Sequence, residues 1–318
     1  MLQQTRNTHE DIHPVSAHIV GADFIDDGHV ITYPNNKGPL FMFMRGCSEN
    51  YKEMAPLYVR KLGHLGELSF EYQLDGQHSQ ERINQGIITM CERSSSRDKV
   101  FVSTSMGHMD TLHALRDDKV REAIGEGSLI GIISLSGIES KMNLQSAMRQ
   151  AVGVSSRIIN MPAVRPIWQK YRLIKARESA DIAGTEEALL HYTSSALMPV
   201  GLVASQHAAI ANSRPFTYGE LRDITQLHPD LELHQITAVH DGVASWTSSR
   251  QSMSDTFGGW PVETDIDFDR HDGSHADDLH YFGPLMDKMA HFASATHHLI
   301  DNVVRIQGPD LSRYPHAA

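Results

Sequence analysis

Apolar runs alternate with amphipathic stretches along the first 135 residues of the chain. The runs at 39–44 and 129–135 are almost continuously apolar, which is typical of strands buried on both faces of a sheet. Strand and helix in short alternation predict a parallel sheet wound with helices. The predicted strands of this part lie at 17–24, 29–33, 39–44, 67–74, 99–104 and 129–135, and the predicted helices at 50–63, capped by Ser48, and 79–93.

The pattern changes near Glu139 and stays mostly helical to about residue 230. Prolines divide this part into several short helices, and it has no clear strand pattern. Strand patterns return at 231–240 and 261–268, and a helix at 282–304 closes the chain. We therefore predict a doubly wound, mostly parallel α/β core formed by residues 1–138 and 231–318, with a helical insertion at 139–230.

Composition narrows the class of protein. The chain has 318 residues, 40% of them hydrophobic and 21% charged, which is ordinary globular material. The net charge of −11, with no run of lysine or arginine, disfavours nucleic acid and anionic membrane as partners. No apolar run is long enough to span a bilayer, and the first residues lack the apolar core of a signal peptide. Two cysteines, Cys47 and Cys91, form no disulfide framework, so we expect a cytoplasmic protein.

Ser105 is the first candidate for chemistry. It follows the predicted strand at 99–104 and precedes a helix-compatible segment, as in a nucleophile elbow that raises a serine hydroxyl above a sheet edge. Such a turn brings its two arms close together, so the positions two before and two after the serine tolerate little side chain. Gly107 meets that demand, whereas Ser103 stands where glycine is usual. The motif is G-x-S-x-G with one departure.

A serine nucleophile needs a base to take its proton and an acid to orient that base. Asp241 follows the predicted strand at 231–240, and His275 lies two residues after a glycine in the loop after the last strand. The chain order of serine, acid and histidine is the order expected of this fold. Rival acids are Asp265, Asp267 and Asp269, and rival bases are His271 and His280.

In these residues the sequence resembles the α/β-hydrolase superfamily. Phe41–Cys47 is similar to the family strand that ends in His-Gly-x, and Leu74–Ser79 is similar to its Asp-x-Arg-Gly-x-Gly-x-Ser segment, with several departures. The resemblance implies that Ser105 attacks a carbonyl, His275 takes the proton and Asp241 orients the imidazole. It also implies an oxyanion hole made by the backbone N–H groups of Cys47 and Met106, and a helical cap over the site at 139–230.

Several side chains have more than one interpretation. Arg45 replaces the usual histidine, and either bonds nearby loop carbonyls or forms a substrate contact that favours carboxylate-bearing substrates. For Cys47 we expect that only the backbone matters, and we expect His108 to be a packed helix residue. The histidines and aspartates at 271–278 invite a metal, but Gly273 and Ser274 favour a loop, so we expect no metal and no cofactor.

The leading hypothesis is a serine hydrolase that cleaves an ester or thioester of a moderately large apolar acyl group. Its partner is then a small-molecule acyl substrate, either free or carrier-bound, and the resemblance is compatible with a homodimer. Two alternatives keep the triad: transfer of the acyl group to an amine or alcohol, and hydrolysis of a carbon–carbon bond. A third alternative is a non-catalytic ligand-binding protein, since a fold does not dictate a function.

Overall fold

The computed structural model describes residues 24–35, 37–74, 76–159, 161–183, 192, 194–238, 241–266 and 278–307. Residues 17–23 of the first predicted strand lie outside these ranges. Eight strands form one sheet in the order β1-β2-β4-β3-β5-β6-β7-β8. Their bounds are β1 Ile25–Asp26, β2 Val30–Tyr33, β3 Leu40–Met44, β4 Glu67–Glu71, β5 Lys99–Thr104, β6 Leu129–Leu135, β7 Glu232–Ala238 and β8 Val262–Ile266.

The sheet is parallel from β4 to β8, whereas β2 pairs antiparallel with both β1 and β4. The predicted mostly parallel sheet is thus confirmed. Ten helices surround it in the described ranges: α1 Tyr51–Leu62, α2 Gln80–Arg93, α3 Met106–Ala114, α4 Asp118–Ile124, α5 Ser146–Ile158, α6 Arg165–Ala183, α7 Val200–Asn212, α8 Arg222–Leu227, α9 Trp246–Phe257 and α10 Asp278–Gln307.

The alternation of side chains along β3 explains the two layers of helices. Phe41 and Phe43 join the core on one face of the sheet, with Tyr51 and Tyr58 of α1. Leu40, Met42 and Met44 join the core on the other face, where α2, α4 and α9 pack. Successive residues of a strand point to opposite faces, so a strand buried on both faces must be apolar throughout.

The predicted cap of the first helix is wrong. Asn50 occupies the N-cap position of α1 without a side-chain capping hydrogen bond, and Ser48 lies in the preceding turn with a φ of 69°. The backbone N–H of Ser48 is also engaged elsewhere, since it donates to Oε1 of Gln206 in α7. Ser79, by contrast, does cap α2, where its hydroxyl accepts from the backbone N–H of Arg82.

Between β6 and β7 the described residues form helices α5 to α8, a short 3-10 helix at Lys141–Asn143 and one isolated bridge residue, Leu144. The carboxyl ends of β3, β5, β6 and β7 lie along one edge of the sheet because these strands are parallel neighbours. Within the described ranges, every helix is too short or too polar to traverse a lipid bilayer.

Candidate active site

Ser105 occupies a strained turn between β5 and α3. Its φ of 49° and ψ of −116° lie in the left-handed half of conformational space, which is costly for any residue with a side chain. Two backbone bonds hold it there: its N–H donates to the carbonyl of Leu135 at 2.9 Å, and its own carbonyl accepts from Ile138 at 3.1 Å. The segment that follows β6 therefore braces the elbow.

Gly107 is required by the packing of the elbow. A Cβ at this position would lie 2.3 Å from the carbonyl oxygen of Met44 and 2.6 Å from that of Arg45. Both are backbone atoms, which cannot move aside without shifting the end of β3. Glycine is therefore needed two positions after the serine, because the start of α3 and the end of β3 approach each other closely here.

Ser103 is accommodated by hydrogen bonds. Its hydroxyl lies 3.3 Å from the carbonyl oxygen of Ile133 and 3.3 Å from Nδ1 of His108. His108 is buried in α3, as expected for a packed helix residue. Serine instead of glycine at position 103 therefore adds a hydroxyl beneath the elbow, where it contacts His108. We call the buried polar side chains beneath the elbow, which begin with Ser103 and His108, the polar row.

Glu139 continues this polar row and was missed by the sequence patterns. Its Oε1 lies 3.9 Å from Nε2 of His108, and its Oε2 accepts from the hydroxyls of Ser252 at 2.6 Å and Thr256 at 3.0 Å. The side chain is almost completely buried. No local signal in the sequence could have found it, because the two hydroxyls that donate to it lie more than 100 residues away in α9.

A cavity of about 230 Å³ opens beside Ser105. One part of its wall is apolar and comes from the residues after β6, from α5, from α7 and from the turn after β7. The polar part comes mainly from the turn after β3. The apolar lining residues are Ile138, Leu144, Met148, Val152, Ile210 and Val243, and the others are Gly46, Cys47, Ser48, Glu49, Ser105, Ser195 and His207.

Two backbone N–H groups near Ser105 make no hydrogen bond in the part of the chain that the structure describes: those of Cys47 and Met106. The N–H groups on either side of Cys47 are engaged, Gly46 with Oε2 of Glu49 at 2.5 Å and Ser48 with Gln206 at 3.2 Å. Met106 begins α3, where the first N–H groups have no partner within the helix and the helix dipole favours negative charge.

Asp241 is buried in the turn after β7. Its Oδ1 accepts from the backbone N–H of Val243 at 2.7 Å and of Ala244 at 2.9 Å, which fixes the orientation of the carboxylate. The rival Asp265 is exposed on β8. The other rivals, Asp267, Asp269 and His271, lie outside the described residues, as does His275, the predicted base; His280 falls within the helical bounds of α10.

No protein-family model matches the chain, and no curated protein matches it. Solved structures do match. A carboxylesterase of the thaumarchaeon Nitrososphaera gargenis aligns at 11% identity over 86% of this chain and 100% of its own, with a TM-score of 0.57. An esterase of Exiguobacterium antarcticum aligns at 13% identity over 86% of this chain and 99% of its own, with a TM-score of 0.56. The chain has the α/β-hydrolase fold.

The same fold also carries other chemistry. The bottromycin epimerase BotH, in complex with bottromycin A2, aligns at 13% identity over 84% of this chain and 94% of its own, with a TM-score of 0.52. Identities this low establish the α/β-hydrolase fold alone, so the activity must be argued from the site.

Arg45 stands where the resemblance led us to expect histidine, and the hydrogen bonds of its side chain go to two other side chains and not to the expected loop carbonyls. Its Nε donates to Glu71 at 3.0 Å and its Nη2 to Gln73 at 3.1 Å. Arg45 is not among the described residues that line the cavity. Burial raises the pKa of Glu71, although the guanidinium acts in the opposite direction. The contacts are those of a buried ion pair between β3 and β4.

His78 and Asp110 form a second buried pair next to Arg45, with Nε2 of His78 3.2 Å from Oδ1 of Asp110. Burial lowers the pKa of His78, but Asp110 outweighs it, so that the pKa lies above its ordinary value. The backbone N–H of His78 donates to the hydroxyl of Ser205 in α7 at 2.7 Å. His78 therefore joins α3 to the helices between β6 and β7.

Cys47 differs from expectation, because the residue lines the cavity and its side chain also makes a contact there: the thiol donates to Oε1 of Gln206 at 3.6 Å. Its thiol interacts with the imidazole of His207, a residue that the sequence patterns missed. His207 lies in the amphipathic helix α7 with no local motif, so only the fold brings the two together.

One group of metal-ligating side chains occurs among the described residues: Glu232, His234 and His291. Oε2 of Glu232 is 2.9 Å from Nε2 of His234 and 2.8 Å from Nε2 of His291. Glu232 is the first residue of β7, so the group lies at the opposite end of the sheet from Ser105. Its mutual hydrogen bonds account for the arrangement, and it has no contact with the cavity.

Proposed function

We propose that the chain is a serine hydrolase that cleaves ester bonds. The observation that carries this proposal is Ser105, held at a φ of 49° between β5 and α3 and facing a cavity. A strained conformation persists only where the surroundings enforce it, and such strain is concentrated at functional sites. Asp241 orients the base, and His275 serves as that base.

In the first half of the reaction, Oγ of Ser105 attacks the carbonyl carbon while His275 takes its proton. The resulting oxyanion accepts from the backbone N–H groups of Cys47 and Met106, each worth about 3 kcal/mol in sites of this kind. Collapse of the intermediate expels the alcohol or thiol, which receives the proton from His275. Water, activated by the same imidazole, then releases the acid and restores Ser105.

The size of the cavity bears on the substrate. At about 230 Å³ it lies below the roughly 300–1,000 Å³ that is usual for ligand sites. We infer that the acyl group is apolar and compact, smaller than the moderately large group expected from the sequence, and that it lies against Val152 of α5 and Ile210 of α7. In this proposal the helices at 139–230 are a cap on the α/β core, and they set which acyl group fits.

The direct test is labelling with a fluorophosphonate, which reacts with activated serines. We expect the wild-type protein to be labelled and Ser105→Ala not to be, and we expect the rate on p-nitrophenyl esters to fall by about 10³-fold or more. Ser103→Ala is the matched control, a neighbouring serine that is buried beneath the elbow and keeps the label. If the wild-type protein is not labelled, the hypothesis of an enzyme fails, and a ligand-binding protein of the same fold takes its place.

The base is tested separately. We expect His275→Ala to lose activity as fully as Ser105→Ala, and His271→Ala to retain it, because histidine and serine act as one unit. The opposite result would reassign the base to His271. Mass spectrometry of the products, with and without added amine, distinguishes hydrolysis from acyl transfer.

A further inference from the structure

Cys47 places a second nucleophile in the cavity. Cys47 is half-buried in the turn after β3, and it lines the cavity together with Ser105. Its Sγ is 3.6 Å from Oε1 of Gln206 and 3.8 Å from Oγ of Ser48. Cys91, the other cysteine, is buried in the opposite core, where its Sγ contacts Sδ of Met42 at 3.8 Å.

His207 is positioned to activate this thiol. Nδ1 of His207 lies 2.8 Å from Oγ of Ser155 in α5, which leaves the other ring nitrogen for the thiol. The imidazole and the thiol both line the cavity, so a reagent that enters can reach the pair. A thiol, an imidazole and a residue that orients the imidazole form the arrangement by which cysteine nucleophiles are activated.

The charges around the thiol favour the thiolate. His207 faces it from α7 and Arg172 from α6, while the carboxylate of Glu49, on the same cavity wall, binds the N–H of Gly46. Burial raises the pKa of Cys47, but His207, Ser48 and Arg172 together outweigh it, so that the pKa lies below its ordinary value. Burial lowers the pKa of His207, and the neighbouring Cys47 more than compensates, so that it lies above its ordinary value.

We propose that Cys47 and His207 form a nucleophile–base pair whose thiol hydroperoxides oxidise, and that oxidation of Cys47 closes the cavity beside Ser105. The oxidation of Cys47 does not depend on the proposed function. The closure of the cavity beside Ser105 rests on it. The sulfur attacks the terminal oxygen of the hydroperoxide, an S–O bond forms as the O–O bond breaks, and the departing oxygen takes a proton. Sulfur loses two electrons, and the hydroperoxide is reduced to water or an alcohol.

Cys91 is not a resolving thiol for this reaction. It packs against the other face of the sheet, and burial raises its pKa to about 12. The sulfenic acid on Cys47 is therefore reversed by a small thiol that enters the cavity, and an internal disulfide does not form. Cys91 also serves as an internal reference in every measurement on the folded protein.

The experiment treats the full-length protein with hydrogen peroxide and dimedone, a trap for sulfenic acids, and locates the adduct by peptide mass spectrometry. We expect the adduct on Cys47 and none on Cys91. His207→Gln should slow the reaction of Cys47 at pH 7 by about tenfold or more, because the thiolate fraction falls. His64→Gln, at an exposed histidine in the turn before β4, is the matched control and should leave the rate unchanged.

A second measurement keeps the test decisive if His207→Gln does not fold. In the wild-type protein the alkylation rate of Cys47 by iodoacetamide should reach half of its maximum below pH 8.5, the ordinary thiol pKa of about 8.5 being the reference. Reaction of Cys47 no faster than Cys91, or a half-maximum at or above pH 8.5, overturns the proposal.

Closure of the cavity by oxidised Cys47 is tested separately, by the rate of ester hydrolysis. Ester hydrolysis should fall in proportion to the dimedone-reactive fraction of Cys47 and return with dithiothreitol, whereas Cys47→Ser should keep its own starting rate after peroxide. An oxidised Cys47 with full activity overturns closure. If no preparation hydrolyses esters, the proposed function fails, while the adduct on Cys47 still decides whether Cys47 and His207 form an oxidisable pair.

Discussion

The turn that carries Ser105 and the helices between β6 and β7 form two different walls of one cavity. Around the turn, Ser103, Met106 and His108 are buried, and a Cβ added at Gly107 would overlap two backbone carbonyl oxygens. In the helices, Val152 and Ile210 are buried toward the cavity, whereas Ile167 is 70% exposed. In the proposed function, the reacting groups therefore lie in the closely packed part of the molecule, and the acyl group lies against the less closely packed helices.

The two glycines Gly107 and Gly153 test this comparison most strongly. Gly107→Ala forces a Cβ against two backbone carbonyls, and we expect a loss of about 3 kcal/mol in the free energy of unfolding or about 10²-fold in ester hydrolysis. Gly153 lies inside α5 with nothing within 4 Å of its added Cβ, so Gly153→Ala should raise that free energy by about 0.5–1 kcal/mol. Chemical denaturation and steady-state kinetics measure both.

Equal effects at the two glycines would contradict the comparison, since they would mean that the elbow tolerates rearrangement as readily as an exposed helix. Retained activity in a fully folded Gly107→Ala would also remove the argument that Ser105 must be held in place to react.

Val152 tests the other wall. Val152→Ala removes two methyl groups from the apolar lining, and we expect the preference for a longer acyl chain over acetyl to rise roughly tenfold, as for one methylene in an apolar pocket. The measurement is kcat/KM on p-nitrophenyl esters of increasing chain length. Ile167→Ala, in the exposed face of α6, is the control that leaves the preference as it was; an unchanged preference in both variants would exclude α5 from the acyl site.

The strands could be predicted well because a strand that is buried on both faces consists of consecutive apolar residues. The bounds predicted for β5 and β6 match the structure, since both are buried runs that end at polar turns. The run predicted to extend to Leu74 ends at Glu71, and the last helix begins at Asp278, before the predicted Phe282. These ends depend on strand pairing and packing more than on local pattern.

The candidate site was predicted in part. Ser105 and Asp241 follow β5 and β7, as their places in the sequence indicate, because parallel strands end at one edge. The roles of Arg45 and Cys47 could not be inferred from their neighbours. Glu71 binds Arg45 from the adjacent strand, and His207 approaches Cys47 from a helix about 160 residues later in the chain.

The smallest expected effect is a change in stability at His78, which contacts Asp110 of α3 and Ser205 of α7. Its pKa is raised in the folded protein, so its contribution to stability is complete below about pH 6.5 and is lost as the pH rises through the folded-state value. We expect the difference in Tm between the wild-type protein and His78→Gln to shrink by on the order of 2 °C between pH 6 and pH 8. If the difference in Tm grows with pH, the His78–Asp110 contact does not favour the protonated imidazole, and the prediction is wrong.

The two backbone bonds between Ser105 and the segment after β6 have a consequence for the order in which the molecule opens. The amide hydrogen of Ser105 is shared with Leu135, so its exchange with deuterium requires the separation of two central strands. A residue in a turn should thus be protected like the middle of the sheet. If Ser105 is the nucleophile of the proposed reaction, we expect its amide to stay protected under conditions in which amides of the helices between β6 and β7 exchange.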